Sequence, residues 1–171
     1  GVQTCALPIF FTQMNSILEE AERLIRGATD RLVLSGWPRE LEPLSAELKK
    51  AAKRKVYIVI FSHAELGQLP GELFSYGLRE GDLETFWKHR LVVVADDEKS
   101  LIGATEKLPS DNAVLSETAA IAELAASQIA LDITLLCQRT GKNTEAVMAR
   151  MLGARVGRLD SLIKTQEGSS G

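Results

Sequence analysis

Residues 87–104 read WKHRLVVVADDEKSLIGA, and this stretch decides the fold. Two apolar runs are separated by the polar residues 96–99. Asp96 and Asp97 suit a tight turn, because aspartate tolerates turn backbone conformations. The pattern therefore predicts two antiparallel strands, at about 89–95 and 99–104, joined by a hairpin turn.

The same hairpin has the spacing of a phospholipase D signature. That signature is His-x-Lys, four residues, Asp, six residues and then Gly-Ser; His89, Asp96 and Gly103 fall in register with it. Leu91 stands where the lysine belongs, and Ala104 where the serine belongs. In phospholipase D chemistry the histidine attacks phosphorus, and the lysine neutralises charge that develops on the phosphoryl oxygens. Leucine supplies neither a hydrogen-bond donor nor a positive charge in place of the lysine. We therefore predict a phospholipase D-like fold that is not an enzyme and has no catalytic residue.

Two other readings of His89 stay open. It could be the nucleophile of a diverged phosphodiesterase or nuclease, or a structural histidine at the start of a buried strand. The sequence has no second copy of the motif: the only other histidine is His63, and Glu65 stands where its lysine would be.

Composition limits the possible functions. The chain has 171 residues, 45% hydrophobic and 25% charged, which is typical of one soluble globular domain. A formal net charge of −3 argues against nucleic-acid binding by this segment. The basic run at residues 49–55 is interpreted as a charged helix end rather than a phosphate-binding patch. Cys5 and Cys137 lack metal-ligand spacing and fit a reducing cytoplasm, so we predict no metal and no cofactor.

The rest of the chain predicts an α/β fold with a mixed sheet flanked by helices and a C-terminal helical pair. The pattern predicts an amphipathic helix at 14–28. After it, a strand at 31–36, a helix opened by Trp37-Pro38 and a strand at 55–61 form a βαβ unit. Residues 62–82 are punctuated by glycine and proline and predict a long, partly irregular segment of the kind that often borders a ligand site. A last strand at 112–115 precedes a long helix. Ser116 is its predicted N-cap, and Gly141 ends the helix.

The domain boundaries follow from the two ends of the sequence. Residues 1–9 resemble translated sequencing-adapter DNA and are interpreted as a non-native scar. Residues 10–165 are assigned to one effector and dimerisation domain, and 166–171 to a disordered tail. A final helix at about 143–164 carries a heptad-like apolar seam formed by Leu152, Val156, Leu159 and Ile163.

Residues 11–163 resemble the C-terminal effector domain of TrmB-type transcriptional regulators. The resemblance rests on the order of five segments: residues 21–28, 34–41, 89–103, 112–117 and the late helix with Asp132-Ile133. It implies an inactive phospholipase D-like domain that follows a winged helix-turn-helix and binds a small-molecule effector. No helix-turn-helix precedes Phe11, so DNA contact is expected only through a missing N-terminal domain. The β-rich module of sugar-binding relatives is also absent, which argues against a sugar effector, and Leu131 replaces a histidine common in relatives.

Candidate ligand-binding residues come from the ends of the predicted strands, where open α/β sheets bind ligands. Polar and aromatic side chains are available there, namely Ser35, Trp37, His63, His89 and Glu106. The alternatives are that Trp37 packs under the second helix, that His63 is a surface turn residue, and that Asp96 only shapes the hairpin. A structural interaction module without a small ligand also remains open.

The expected partners are a second copy of the chain and a small-molecule effector, with no membrane. Regulators that read two half-sites are usually dimers. The apolar seams of the first and last helices could pair with that second copy, or they could pack on the sheet of their own chain. No stretch approaches the roughly 18 consecutive apolar residues of a membrane span.

Overall fold

The computed structural model describes residues 7–106 and 111–153, together with the single residues 163 and 165. One mixed seven-stranded sheet forms its centre, in the order β1-β7-β6-β5-β2-β3-β4. The strands are β1 (Ile9–Phe11), β2 (Arg31–Ser35), β3 (Tyr57–Ala64), β4 (Glu72–Leu78), β5 (Arg90–Ala95), β6 (Lys99–Ala104) and β7 (Asn112–Ser116). The helices are α1 (Met14–Gly27), α2 (Pro38–Leu41), α3 (Ser45–Lys53), α4 (Glu80–Leu83), α5 (Ala119–Thr140) and α6 (Glu145–Leu152).

The βαβ unit and the hairpin are both confirmed. β2 and β3 are parallel, and β5 pairs antiparallel with β6 from Arg90↔Ala104 to Ala95↔Lys99. The strand β5 also pairs antiparallel with β2, with Ser35 opposite Val92. The hairpin therefore lies at the centre of the sheet.

Helices cover both faces of the sheet. On one face α1 and α3 bury a core that includes Ile17, Leu48 and Leu91. On the other face α5 and α6 bury a second core that includes Ile129 and Ile133. α5 is long and apolar enough to cross a bilayer by length and composition. Its apolar composition is accounted for by the sheet face that it covers, where eight of its residues are buried.

Three elements differ from the sequence prediction. Residues 62–82 are not irregular throughout, because β4 adds a parallel edge strand beside β3. β1 pairs with β7, so Ile9, which the sequence analysis placed in the scar, opens an edge strand. Ser116 ends β7 instead of capping α5; the N-cap is Thr118, whose backbone N–H donates to the Ser116 hydroxyl.

The outcome for the helical seams is mixed. The apolar seam of α1 packs inside the chain, since Ile17, Ala21 and Leu24 are buried against the sheet. In α6, Val147 and Met151 are buried in the second core. Val156, Leu159 and the proposed tail lie outside the described residues, as does most of the proposed scar.

Gly103 of the degenerate motif has a packing role. It stands opposite Ala113 across the β6–β7 pair. A Cβ atom at position 103 would lie 2.8 Å from the Ala113 Cβ and 3.1 Å from the Asn112 carbonyl oxygen. Retention of glycine here is explained by the close approach of β7, without any role in catalysis.

We therefore expect Gly103→Ala to lower the free energy of unfolding by about 1–3 kcal/mol, the usual cost of overpacking. The double variant Gly103→Ala, Ala113→Gly moves the methyl group to the facing strand and should recover part of this loss. Urea denaturation of the two variants and of Ala113→Gly alone measures the coupling. Additive losses in the double variant would contradict the packing explanation.

Candidate functional site

A cavity of about 500 Å³ lies between the sheet and α5, where β2 and β3 end and β5 begins. Parallel strands of an open sheet end at the edge where ligands usually bind. The lining comes from the sheet, from the segment before β5 and from one face of α5: Ser35, Gly36, Trp37, His63, Trp87, Lys88, Arg90, Val92, Ile102, Leu124, Ala125, Gln128, Ile129 and Asp132.

Strand alternation explains which side chains reach this cavity. Successive side chains of a strand point to opposite faces, so Arg90 and Val92 face α5 while Leu91 faces α1. Val92 stands opposite Ser35 on one side and Ile102 on the other, and all three line the cavity.

Aromatic side chains form one part of the lining. The His63 ring stacks on Trp87 at 5.6 Å and on Tyr76 at 5.7 Å between centroids. Burial lowers the pKa of His63 below its usual 6.5, and the charge of Arg90 lowers it too, while Asp132 acts in the opposite direction. A lowered pKa leaves the imidazole neutral at neutral pH. His63 lies in β3 and is half-buried, so the alternative of a surface turn residue is wrong.

His89 lies just before β5 and is buried at 6% exposure. Its Nδ1 is 3.1 Å from Glu40 Oε1, and its Nε2 is 3.1 Å from Glu84 Oε1. The ring also contacts Trp37, with 4.3 Å between centroids. Both ring nitrogens are thus engaged by carboxylates. A nucleophilic imidazole needs a nitrogen that substrate can approach, and here each nitrogen lies within hydrogen-bond distance of a carboxylate oxygen.

Glu40 organises the cluster around His89 and is fully buried. It accepts hydrogen bonds from the Trp37 backbone N–H at 3.1 Å, from the Thr105 hydroxyl at 2.9 Å and from Arg39 Nε at 3.2 Å. The guanidinium of Arg39 therefore contacts the same Glu40 oxygen that faces His89 Nδ1. Leu91 is fully buried in the α1-side core and offers no charge to this cluster.

The structure brings together three of the five predicted ligand-binding residues, since Ser35, Trp37 and His63 line the cavity. Trp37 is 4% exposed and touches both the cavity and His89. His89 lies behind Trp37 and does not line the cavity. Glu106 does not line it either: its carboxylate lies 3.1 Å from Lys88 Nζ, and its carbonyl accepts from Arg39 Nη1.

Asp96 and Ser35 lie at opposite ends of the central strands, because β5 runs antiparallel to β2 and Asp96 follows β5 beside the start of β2. Its carboxylate accepts hydrogen bonds from the backbone N–H groups of Thr29, Asp30 and Arg31, each at 2.9 Å, and from the Thr29 hydroxyl. Asp96 and Asp97 both have positive φ, 53° and 58°, as a tight hairpin turn requires. Asp96 therefore joins the hairpin to the start of β2. It does not line the cavity that contains His63.

Sequence reasoning did not nominate Trp87, Arg90, Gln128 and Asp132, which line the cavity. The alternation of β5 could have indicated Arg90, since it shares a face with Val92. Asp132 and Gln128 stand out as polar residues on an apolar helix. Within the described residues, no three histidine, cysteine or acidic side chains are grouped so as to hold a metal ion.

The fold is similar to that of phospholipase D family members. Nuc of Salmonella typhimurium, a phospholipase D family member, is similar with a TM-score of 0.52 at 16% identity, covering 76% of this chain and 96% of that one. NucT from Helicobacter pylori is similar with a TM-score of 0.55 at 12% identity, covering 75% and 95%. A search of curated protein sequences finds no match.

Within this fold, the chain belongs to the TrmB family of transcriptional regulators. Residues 10–122 match the model of the N-terminal subdomain of the TrmB effector-binding domain. TrmBL2, an archaeal chromatin protein, is similar in structure, with a TM-score of 0.54 at 12% identity over 75% of this chain. The chain spans about half of TrmBL2, 52% of its length. The resemblance to this family that the sequence indicated is confirmed.

Proposed function

We propose that this chain is a non-catalytic, effector-sensing and dimerising domain of a cytoplasmic transcription regulator. The observation that carries the proposal is that the cavity and the motif histidine lie apart, whereas in an enzyme of this fold the histidine would line the cavity. The cavity that could admit a ligand lies on the α5 side of the sheet, whereas the motif histidine is buried and bonded to Glu40 and Glu84. DNA would be contacted by a helix-turn-helix outside this chain.

The alternative, a phosphodiesterase that uses His89 as nucleophile, finds less support in the geometry. It would require an exposed imidazole with a cation beside it to stabilise the transition state. His89 is 6% exposed, and the groups that contact its nitrogens are acidic. The cavity and the family membership favour ligand sensing.

Ligand sensing predicts that one compound of a metabolite panel raises the melting temperature. A ligand at ten times its Kd adds about 1.4 kcal/mol, or roughly 3–6 °C for a domain of this size. Gln128→Trp places an indole in the cavity and should remove the shift. Gln138→Trp, also exposed on α5 but outside the cavity, should preserve it. If no metabolite stabilises the chain, an interaction module without a small ligand is the better description.

Dimerisation is supported by the outer face of α5. Large apolar side chains that are exposed lie there at intervals of three, seven and four residues: Ile121, Leu124, Leu131 and Leu135. This is the spacing of a coiled-coil seam when Gln128 is included. Leu124 and Gln128 lie where this seam borders the cavity, and the face of α5 with Ile129 and Ile133 covers the sheet. We therefore place the pairing surface on α5, because the seam of α1 is buried within the chain.

Light scattering on the purified chain tests this pairing. We expect the mass of a dimer, and the mass of a monomer for Leu131→Glu, since a carboxylate at the centre of the seam would be buried. Leu78→Glu changes an exposed leucine on β4 and serves as the matched control. A monomeric wild-type chain at micromolar concentration, or a dimer that survives Leu131→Glu, would contradict the proposed surface.

A further inference from the structure

The cavity carries a combination of charge and aromatic surface that selects one chemical class of ligand. We propose that the effector is a small aromatic carboxylate, a flat unsaturated ring bearing one negative charge. The inference rests on the proposed function, because it names the ligand class of the same cavity.

The charge of the lining favours a monoanion. Three charged side chains line the cavity, the cations Lys88 and Arg90 and the anion Asp132. Lys88 is paired with Glu106 at 3.1 Å, and Asp132 accepts a hydrogen bond from Gln128 at 3.4 Å. The Arg90 side chain makes no ion pair and no hydrogen bond within residues 7–106 and 111–153. A guanidinium without a partner is the group best suited to a carboxylate, which it can bind through two parallel hydrogen bonds.

The remaining surface favours a flat ring. Trp37, Trp87 and His63 offer aromatic faces and edges, and the half-buried His63 has a lowered pKa that keeps it neutral. Trp87 lines the cavity and is 44% exposed although its ring stacks on His63. Aromatic rings gain from offset or edge contacts with one another in addition to the area that they bury.

Aliphatic side chains form much of the rest of the wall, with Val92 and Ile102 from the sheet and Ala125 and Ile129 from α5, while Ser35 and Gln128 are its uncharged polar side chains. A flat apolar ring can pack against these aliphatic side chains without needing hydrogen-bond partners there. A sugar carries a hydroxyl on most of its carbons, and each one buried against aliphatic atoms would lose its hydrogen bonds to water. An organic cation could stack on the indoles and be attracted by Asp132, but it would leave the Arg90 guanidinium without an anionic partner. The volume of about 500 Å³ is sufficient for one or two rings.

Isothermal titration calorimetry tests the inference with matched acids and amides. The probes are benzoate and indole-3-acetate, the neutral isosteres benzamide and indole-3-acetamide, and glucose. We expect each acid to bind one site per chain and each amide to bind at least tenfold more weakly. Arg90→Gln should weaken the acids at least tenfold and leave the amides unchanged, whereas Arg90→Lys, which keeps the charge without the planar fork, should give an intermediate loss. Arg26→Gln on α1, across the sheet from the cavity, is the control that should change nothing.

Circular dichroism and melting temperature establish that each variant is folded before titration. Amides that bind as tightly as the acids, or acids that bind Arg90→Gln normally, overturn the assignment of an aromatic carboxylate. Binding of glucose or another neutral metabolite, lost in Gln128→Trp, with no binding of the acids would overturn it while leaving the effector-sensing function in place. Absence of binding by the acids and by every member of the wider metabolite panel would overturn both.

Discussion

Replacing Glu40 with alanine is expected to lower the free energy of unfolding by about 3–5 kcal/mol, the cost of removing one partner from a buried charged pair. The fully buried carboxylate accepts from Trp37, Arg39, Thr105 and His89, and alanine would leave these donors without an acceptor. Urea denaturation of the purified variant measures the effect. Glu40 would then count among the most important structural residues of this domain.

Glu42→Ala is the matched control for this prediction. Glu42 lies two residues away and is exposed, and its carboxylate accepts one hydrogen bond, from the backbone N–H of Gly67 at 3.3 Å. We expect a loss below about 1 kcal/mol there. A Glu40→Ala variant as stable as Glu42→Ala would show that the cluster around His89 does not hold the fold together.

Asp96→Asn is expected to lower the free energy of unfolding by about 2–3 kcal/mol. Asparagine tolerates the positive φ of 53° at this position, but it has one acceptor oxygen and no charge for the three backbone N–H groups and the hydroxyl that converge here. Hydrogen bonds to a charged group contribute about 1.5–3 kcal/mol when well shielded, and partial exposure reduces that figure. Asp30→Asn, whose side chain is 80% exposed, is the control and should change stability little.

The pH dependence of Asp96→Asn gives a second readout. Partial burial raises the pKa of Asp96, but the hydrogen bonds from Thr29, Arg31 and Asp30 outweigh it, so the pKa lies below 3.8. In the unfolded chain the carboxyl takes up its proton first as the pH falls, at about 3.9. The stabilisation is therefore complete above that pH and is lost as the pH falls towards the folded-state pKa. Below pH 4 the wild type should lose stability more steeply than Asp96→Asn; parallel pH profiles would contradict this role.

The central strands were predictable because their apolar runs are long and bounded by turn residues. β1 and β4 were not, and both are edge strands. β1 is apolar but has only three residues and is mostly exposed. β4 is half-buried or exposed along its length and includes Gly77, so it shows neither a long apolar run nor a clean alternation. Edge strands bury too little surface to leave a hydrophobic pattern in the sequence.

The candidate site was predictable only where it depends on strand ends. Ser35 and His63 end parallel strands, and the rule for open sheets placed them together. Asp96 lies at the other end of these strands, because β5 runs antiparallel to β2 and its last residues pair with the start of β2. Asp132 stands out in the sequence as a polar residue on an apolar helix, but its position in the cavity depends on where α5 crosses the sheet.

The central claim is that His89, which stands at the position of the phospholipase D nucleophile, has a structural role in this chain. On this account the chain binds a ligand and does not hydrolyse phosphodiesters. Turnover of bis(4-nitrophenyl) phosphate by the purified chain and by His89→Ala tests it most directly. The account predicts that neither protein releases nitrophenolate faster than buffer, because both nitrogens of His89 face carboxylates and Leu91 supplies no charge. Turnover by the wild-type chain that disappears in a folded His89→Ala variant would contradict it.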